Sequence, residues 1–172
     1  TEYTAEEIQQ FRFLGQFKEF TWPPLAKVWA FDKSTCPPIK GSVKGLTSMF
    51  KDESLDVFIV TSPWVSNYDC CRKKREWLDH YIPELFPKHQ NKVIFANNKS
   101  LLKGGADFIV DDRPDTLLSY GASKAFVFTQ PWNIRREDLD GYTRVEDLVQ
   151  AHTCIRVASK LADAPQVPVT HD

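Results

Sequence analysis

The stretch Asp107-Phe108-Ile109-Val110-Asp111-Asp112-Arg113-Pro114-Asp115 runs an apolar strand pattern straight into two adjacent carboxylates. Neighbouring carboxylates repel, and they are tolerated only when solvated, hydrogen-bonded or set against a cation. In an open α/β sheet the carboxyl ends of the strands form the rim where ligands bind. Asp111 and Asp112 are therefore candidates for cation or phosphate chemistry. A solvated turn through Arg113 and Pro114 is the plain alternative.

Three further apolar runs flank this one: Leu55-Asp56-Val57-Phe58-Ile59-Val60, Lys92-Val93-Ile94-Phe95-Ala96 and Ala125-Phe126-Val127-Phe128. Each is continuously apolar rather than alternating, the pattern of strands buried on both faces of a helix-covered parallel sheet. Helical spacing is found at 42–50, with Val43, Leu46 and Met49 on one face. It recurs at 69–81, with Trp77, Leu78 and Tyr81, and stops near Pro83. Residues 144–161 read as one or two helices. Residues 4–20 read as an N-terminal helix, capped by Thr4 with Glu7 three residues on, and closed by Trp22-Pro23-Pro24. These elements predict an α/β fold with a Rossmann-like parallel sheet and helices on both faces. The strand ends then bring Thr61-Ser62, Asn97-Asn98-Lys99, Asp111-Asp112 and Gln130-Pro131-Trp132-Asn133 to one rim. A hydroxyl, an ammonium and two carboxylates there make an inventory suited to phosphate and Mg²⁺.

Composition narrows the classes. A length of 172 residues suits one domain, and 42% hydrophobic with 26% charged residues is ordinary for a globular protein. A net charge of −1 makes no case for nucleic acid or a membrane surface. The basic cluster Arg72-Lys73-Lys74-Arg75 lies in a helical pattern and reads as a solvated face rather than a polyanion site. No apolar run is long enough to span a membrane. Cys36, Cys70, Cys71 and Cys154 lack the spacing of a zinc site, and His80, His89, His152 and His171 do not supply it. Reduced thiols and an intracellular compartment, cytosol or mitochondrial matrix, are the expectation. The chain opens on Thr1-Glu2-Tyr3 with no visible targeting segment and reads as a processed or truncated product.

Val57-Phe58-Ile59-Val60-Thr61-Ser62-Pro63, the helix from Lys74 to Tyr81, Asn98-Lys99-Ser100, the Asp107 to Asp115 stretch and Phe128-Thr129-Gln130-Pro131 occur in an order that resembles the haloacid-dehalogenase-like phosphohydrolases. Within them the chain is similar to the 5'(3')-deoxyribonucleotidase family, over about residues 38–150. The resemblance implies that Thr61, with Ser62 beside it, hydrogen-bonds the transferring phosphoryl group. It makes Lys99 the ammonium bridging phosphate and nucleophile, with Lys103 as a competing candidate. Asp112 becomes the Mg²⁺ ligand, and Asp111 either a second metal-facing carboxylate or the group that orients a bound water or the lysine. Phosphoryl transfer asks mainly for such charge stabilisation and positioning.

The resemblance also implies an Asp-x-Asp at the end of an initial strand, the first Asp being the nucleophile. No such motif stands upstream of residue 55. Val28-Trp29-Ala30-Phe31-Asp32 comes nearest and offers one carboxylate. The expected organisation is a partial helical cap or N-terminal extension at 1–35, the core at 36–162 and a tail at 163–172, with the first strand absent from the chain. A vacant first strand would leave two unpaired sheet edges. The expected function is accordingly a non-catalytic nucleotidase-like domain, a pseudoenzyme subunit whose vacant strand position is filled by another protein. The alternative is a Mg²⁺-dependent 5'-nucleotidase, binding a nucleoside monophosphate, whose nucleophile strand comes from a missing N-terminal segment or another chain. Trp77 is expected to pack in the core. Trp64 and Trp132 stand on the rim, as a stacking wall, a partner anchor or ordinary packing.

Overall fold

The computed structural model describes residues 36–63, 69–86 and 88–162. The expected N-terminal helix at 4–20, the cap or extension at 1–35, Asp32, Trp64 and the tail at 163–172 lie outside the described residues. The described elements are α1 (Ser42–Lys51), β1 (Ile59–Thr61), α2 (Cys70–Tyr81), β2 (Val93–Phe95), β3 (Ile109–Asp111), α3 (Pro114–Tyr120), β4 (Ala125–Phe128), β5 (Thr143–Val145) and α4 (Leu148–Ala162). Short 3-10 segments occupy Gln90–Lys92, Lys99–Gly105 and Glu137–Leu139.

All pairings are parallel, and they fall into two sheets. β1 pairs with β2, setting Thr61 opposite Phe95. β4 lies between β3 and β5, with Asp111 opposite Val127 and Phe128 opposite Val145. This is the α/β architecture that the unbroken apolar runs imply. Among the described residues β1 and β3 each have a strand on one side only. Their exposure follows: β4 is buried at Ala125, Phe126 and Val127, whereas β1 is half-buried throughout and β3 is buried only at Asp111.

Two elements correct the expected layout. Residues 143–145 form strand β5, not the start of a helix, because Val145 is fully buried beside β4 and Arg144 is drawn sideways to Asn133. The helix starts only after Asp147, whose carboxylate accepts the Gln150 backbone N–H as an N-cap. The segment after Asp112 is also more than a turn. Pro114 stands in the first turn of α3, where its missing N–H costs nothing, and Gly121 ends the helix at φ 85°.

Three apolar clusters hold these layers together. Leu78, Ile82, Leu85, Phe86 and Val93 form one against β1 and β2. Leu117, Tyr120, Ala125, Val127 and Leu139 form the second, under α3. Met49, Phe126, Val145 and Ala151 form the third, where α1 and α4 cover the larger sheet. Gly45 makes the α1–α4 crossing possible: a Cβ there would sit 2.4 Å from the Leu148 carbonyl carbon. Beside that crossing Asp52 closes a polar clamp, accepting from Ser54 Oγ at 2.6 Å and Arg156 at 2.9 Å, with His152 Nε2 at 2.8 Å. Trp77 packs in the first cluster, and its indole N–H donates to the Cys36 carbonyl at 2.6 Å. All four cysteines are free thiols. No helix among the described residues is long and apolar enough to cross a membrane.

Candidate active site

The rim is assembled from the carboxyl ends of β1, β2 and β3. Lys99 leaves the turn after β2 and reaches across to the end of β3, where its ammonium meets Asp111 Oδ2 at 2.6 Å. The pair is well buried, with side-chain exposures of 14% and 1%. Asn98 shapes the turn by accepting the Ser100 backbone N–H at 3.1 Å. The Tyr120 hydroxyl lies 3.4 Å from the Lys99 carbonyl, a contact at the outer limit of a hydrogen bond. Lys103 is exposed four residues further on, so Lys99 and not Lys103 is the lysine that reaches Asp111.

Asp111 and Asp112 point to different tasks. Both Asp111 oxygens are engaged, Oδ2 by Lys99 and Oδ1 by the Arg113 backbone N–H at 2.8 Å. Asp111 thus faces Lys99 on one side and the turn at Arg113 on the other. The Asp112 carboxyl is held above the ordinary carboxylate range, first by burial and then by the charge of Asp111 beside it. A carboxylate in that condition gains most from a cation. Asp112 is a hard oxygen donor of the kind Mg²⁺ takes, and Mg²⁺ needs only one or two such protein ligands alongside waters and a phosphate. Among the described residues, no three or more His, Cys, Asp or Glu side chains gather into a metal cluster. The donors present thus fit part of a Mg²⁺ shell.

Thr61 closes β1, and its hydroxyl accepts a hydrogen bond from Lys74 at 2.6 Å. Ser62 Oγ is turned to the Ala96 carbonyl at 3.1 Å, so its proton is committed to the backbone between the first two strands. Lys74 corrects the sequence reading. Of the basic cluster, Arg72 remains on the solvated face with Asp69 and Glu76, and Arg75 lies over the Phe95 ring at 5.2 Å. Lys74 instead turns inward, only 8% exposed, in line with buried Cys70 and Leu78 at four-residue spacing on α2. That spacing was legible in the sequence, but a lysine between an uncharged cysteine and a leucine is not counted by a search for apolar positions.

Asn133 was quoted as part of the rim but its part is structural and larger than its place suggests. It is fully buried and its amide donates to the Asp112 carbonyl at 3.0 Å and the Phe128 carbonyl at 2.9 Å. Its own oxygen accepts from Gln130 N at 3.1 Å and Arg144 at 3.3 Å. One side chain thereby ties the backbone of Asp112 to the end of β4 and to β5. Trp132 next to it is half-buried, and its indole nitrogen is shut off from solvent with no acceptor among the described residues.

Parallel strands in two sheets with flanking helices, and Lys99, Asp111 and Asp112 together at the strand ends, are the layout of a haloacid-dehalogenase-like core. The family described as 5' nucleotidase, deoxy (pyrimidine), cytosolic type C protein (NT5C) matches residues 28–161, and the chain belongs to it. Among curated proteins it is similar to one of Acanthamoeba polyphaga mimivirus named as a candidate 5'(3')-deoxyribonucleotidase, 35% identical over 51% of this chain and 40% of that one. It is also similar to the mitochondrial 5'(3')-deoxyribonucleotidase of Homo sapiens, 31% identical over 45% of this chain and 32% of the relative. The matched part of the chain thus spans well under half the length of each of these relatives.

Proposed function

We propose that this chain carries the lysine-, threonine- and metal-facing part of a Mg²⁺-dependent 5'-nucleotidase that removes phosphate from nucleoside monophosphates. The nucleophilic carboxylate and its strand come from polypeptide beyond these 172 residues, within a longer protein or from another chain. The observation that carries this reading is the Lys99–Asp111 pair, buried at 2.6 Å and joining the ends of two separate sheets, with the Asp112 carboxyl raised above its ordinary range beside it. Burying such a pair offsets little of its own desolvation cost, so it makes poor sense as a fastener. It makes good sense as a fixed positive charge facing a phosphoryl group.

In this reading Thr61 donates its hydroxyl proton to a phosphoryl oxygen, and Lys99 neutralises the charge between phosphate and nucleophile. Asp112 holds Mg²⁺, which when bound supplies further charge neutralisation at the phosphate. Asp111 keeps Lys99 in place. The relatives' names point to deoxyribonucleoside monophosphates as the substrate class, and to the cytosol or mitochondria as the setting. The domain reading follows the same lines, with residues 36–162 as the core.

A second reading starts from the open sides of β1 and β3 among the described residues. In it the chain is a non-catalytic subunit whose vacant edge binds a partner protein. Phosphate release from dUMP or dTMP separates the two. The assay compares the chain with a longer polypeptide, or a complex, that supplies an Asp-x-Asp strand. The nucleotidase reading expects Mg²⁺-dependent turnover that Asp112→Ala removes. Absence of turnover in the completed protein, or turnover indifferent to Mg²⁺ and Asp112, would overturn it in favour of the subunit.

A further inference from the structure

We propose that Lys74 is a second phosphate-binding cation and that it also aims the Thr61 hydroxyl proton into the phosphate position. The inference rests on the nucleotidase reading above and adds a residue to its site. Lys74 approaches Thr61 from α2, whereas Lys99 is held on Asp111, and Lys74 is 8% exposed. Its ammonium lies 2.6 Å from Thr61 Oγ1 and 2.6 Å from the Ser62 carbonyl. An ammonium has three donors and no lone pair, so Thr61 Oγ1 can only be the acceptor in that contact. The threonine proton is thereby excluded from the α2 side, and the direction left to it is the rim. A hydroxyl that accepts from a cation is also a more strongly polarised donor, which suits a charged phosphoryl oxygen.

The electrostatics agree. Burial lowers the proton affinity of Lys74, and the charge of Lys99 lowers it further, while the Cys70 and Cys71 thiols act in the opposite sense. Two lysines thus feel each other's charge at the end of β1 and β2, an arrangement that repels when empty and attracts a dianion. Ser62 cannot serve as the donor there without leaving Ala96, so the anion is left to Thr61 and the two lysines.

The test is titration of the 172-residue chain with inorganic phosphate, followed by ³¹P NMR, which reads millimolar binding without turnover. Lys74→Met keeps the length of the side chain and removes the charge, at the cost of the donor to the Ser62 carbonyl. Lys74→Gln serves as the second variant, keeping a donor near Thr61 without the charge. The expected result is phosphate affinity at least tenfold weaker in both variants, with both still giving a cooperative thermal melt. Thr61→Val should weaken binding too, and the double variant with Lys74→Met should lose less than the product of the single effects, because the two groups act as a unit. Unchanged affinity in Lys74→Met alongside loss in Lys99→Met would overturn the inference and leave the nucleotidase reading standing. Failure of the wild-type chain to bind phosphate at all would overturn both.

Discussion

The larger sheet and the smaller one end at the same rim but in different states of completion. In the larger sheet β4 has a strand on each side and is buried at Ala125, Phe126 and Val127, whereas β1 and β3 have one open side apiece among the described residues. The rim chemistry divides the same way. Asp112 is braced from behind by Asn133 and Arg144, in the closed part. Thr61 and Lys99 stand along the open part, where Lys74 and Asp111 meet them. The Asp112 backbone is thus held by groups within the described residues, while β1 and β3 keep their open sides.

The strongest way to break the closed part is Asn133→Ala. It strips donors from the buried Asp112 and Phe128 carbonyls, each worth about 1–3 kcal/mol when left unsatisfied. A loss of about 3 kcal/mol in denaturant unfolding is expected, with faster amide exchange at Arg113; a loss under about 1 kcal/mol would show that Asp112 needs no brace. One substitution made twice sharpens the contrast between the sheets. Val127→Ala in β4, where the side chain is fully buried, should cost roughly 2–3 kcal/mol. Val60→Ala in half-buried β1 should cost about 1 kcal/mol or less. Equal losses at the two positions would mean that β1 is as fully covered as β4.

Two further tests use pH. Ser54, His152 and Arg156 hold the Asp52 carboxyl well below the usual carboxylate range, the Ser54 hydroxyl contributing most. A carboxyl depressed in the folded state adds stability that is complete above its ordinary value of 3.8 and is lost as pH falls below that toward its folded value. Asp52→Asn should therefore melt lower than wild type at pH 7, and the gap should close in acid; a constant gap would remove charge from the account. Asp112 has the opposite sign. Its raised carboxyl costs stability once ionised, and that cost disappears as pH falls to the ordinary carboxylate value. Asp112→Asn in EDTA should raise the melting temperature at neutral pH by roughly 2–4 °C, about 1 kcal/mol for a domain of this size. A lower melting temperature without metal would show that Asp112 is compensated within the chain itself.

Much of this was legible in the sequence where the signal was local. Unbroken apolar runs marked the parallel strands, and the Val-Thr-Ser-Pro and Asp-Asp-Arg-Pro segments marked the rim. Residues 143–145 were misread because three residues are too few to show a period, and their strand state is imposed by pairing with β4. The α3 helix was missed because Pro114 reads as a breaker until the chain is known to enter a helix there. Lys74 and Asn133 were not singled out because their roles are set by groups distant in the chain. Lys74 stands 13 positions from Thr61, and Asn133 stands 21 from Asp112. No spacing rule reaches across that distance.

The glycine at the α1–α4 crossing carries a consequence for the order in which the protein assembles. α1 leaves the ribosome about a hundred residues before α4, the separation between Asp52 and its clamp partner His152. Until then the notch at Gly45 has nothing to receive, and the apolar face holding Met49 has no cover. Closing so long a loop costs conformational entropy that local contacts do not repay. The first helix of the described residues thus waits, exposed to chaperones and proteases, until the last has been made.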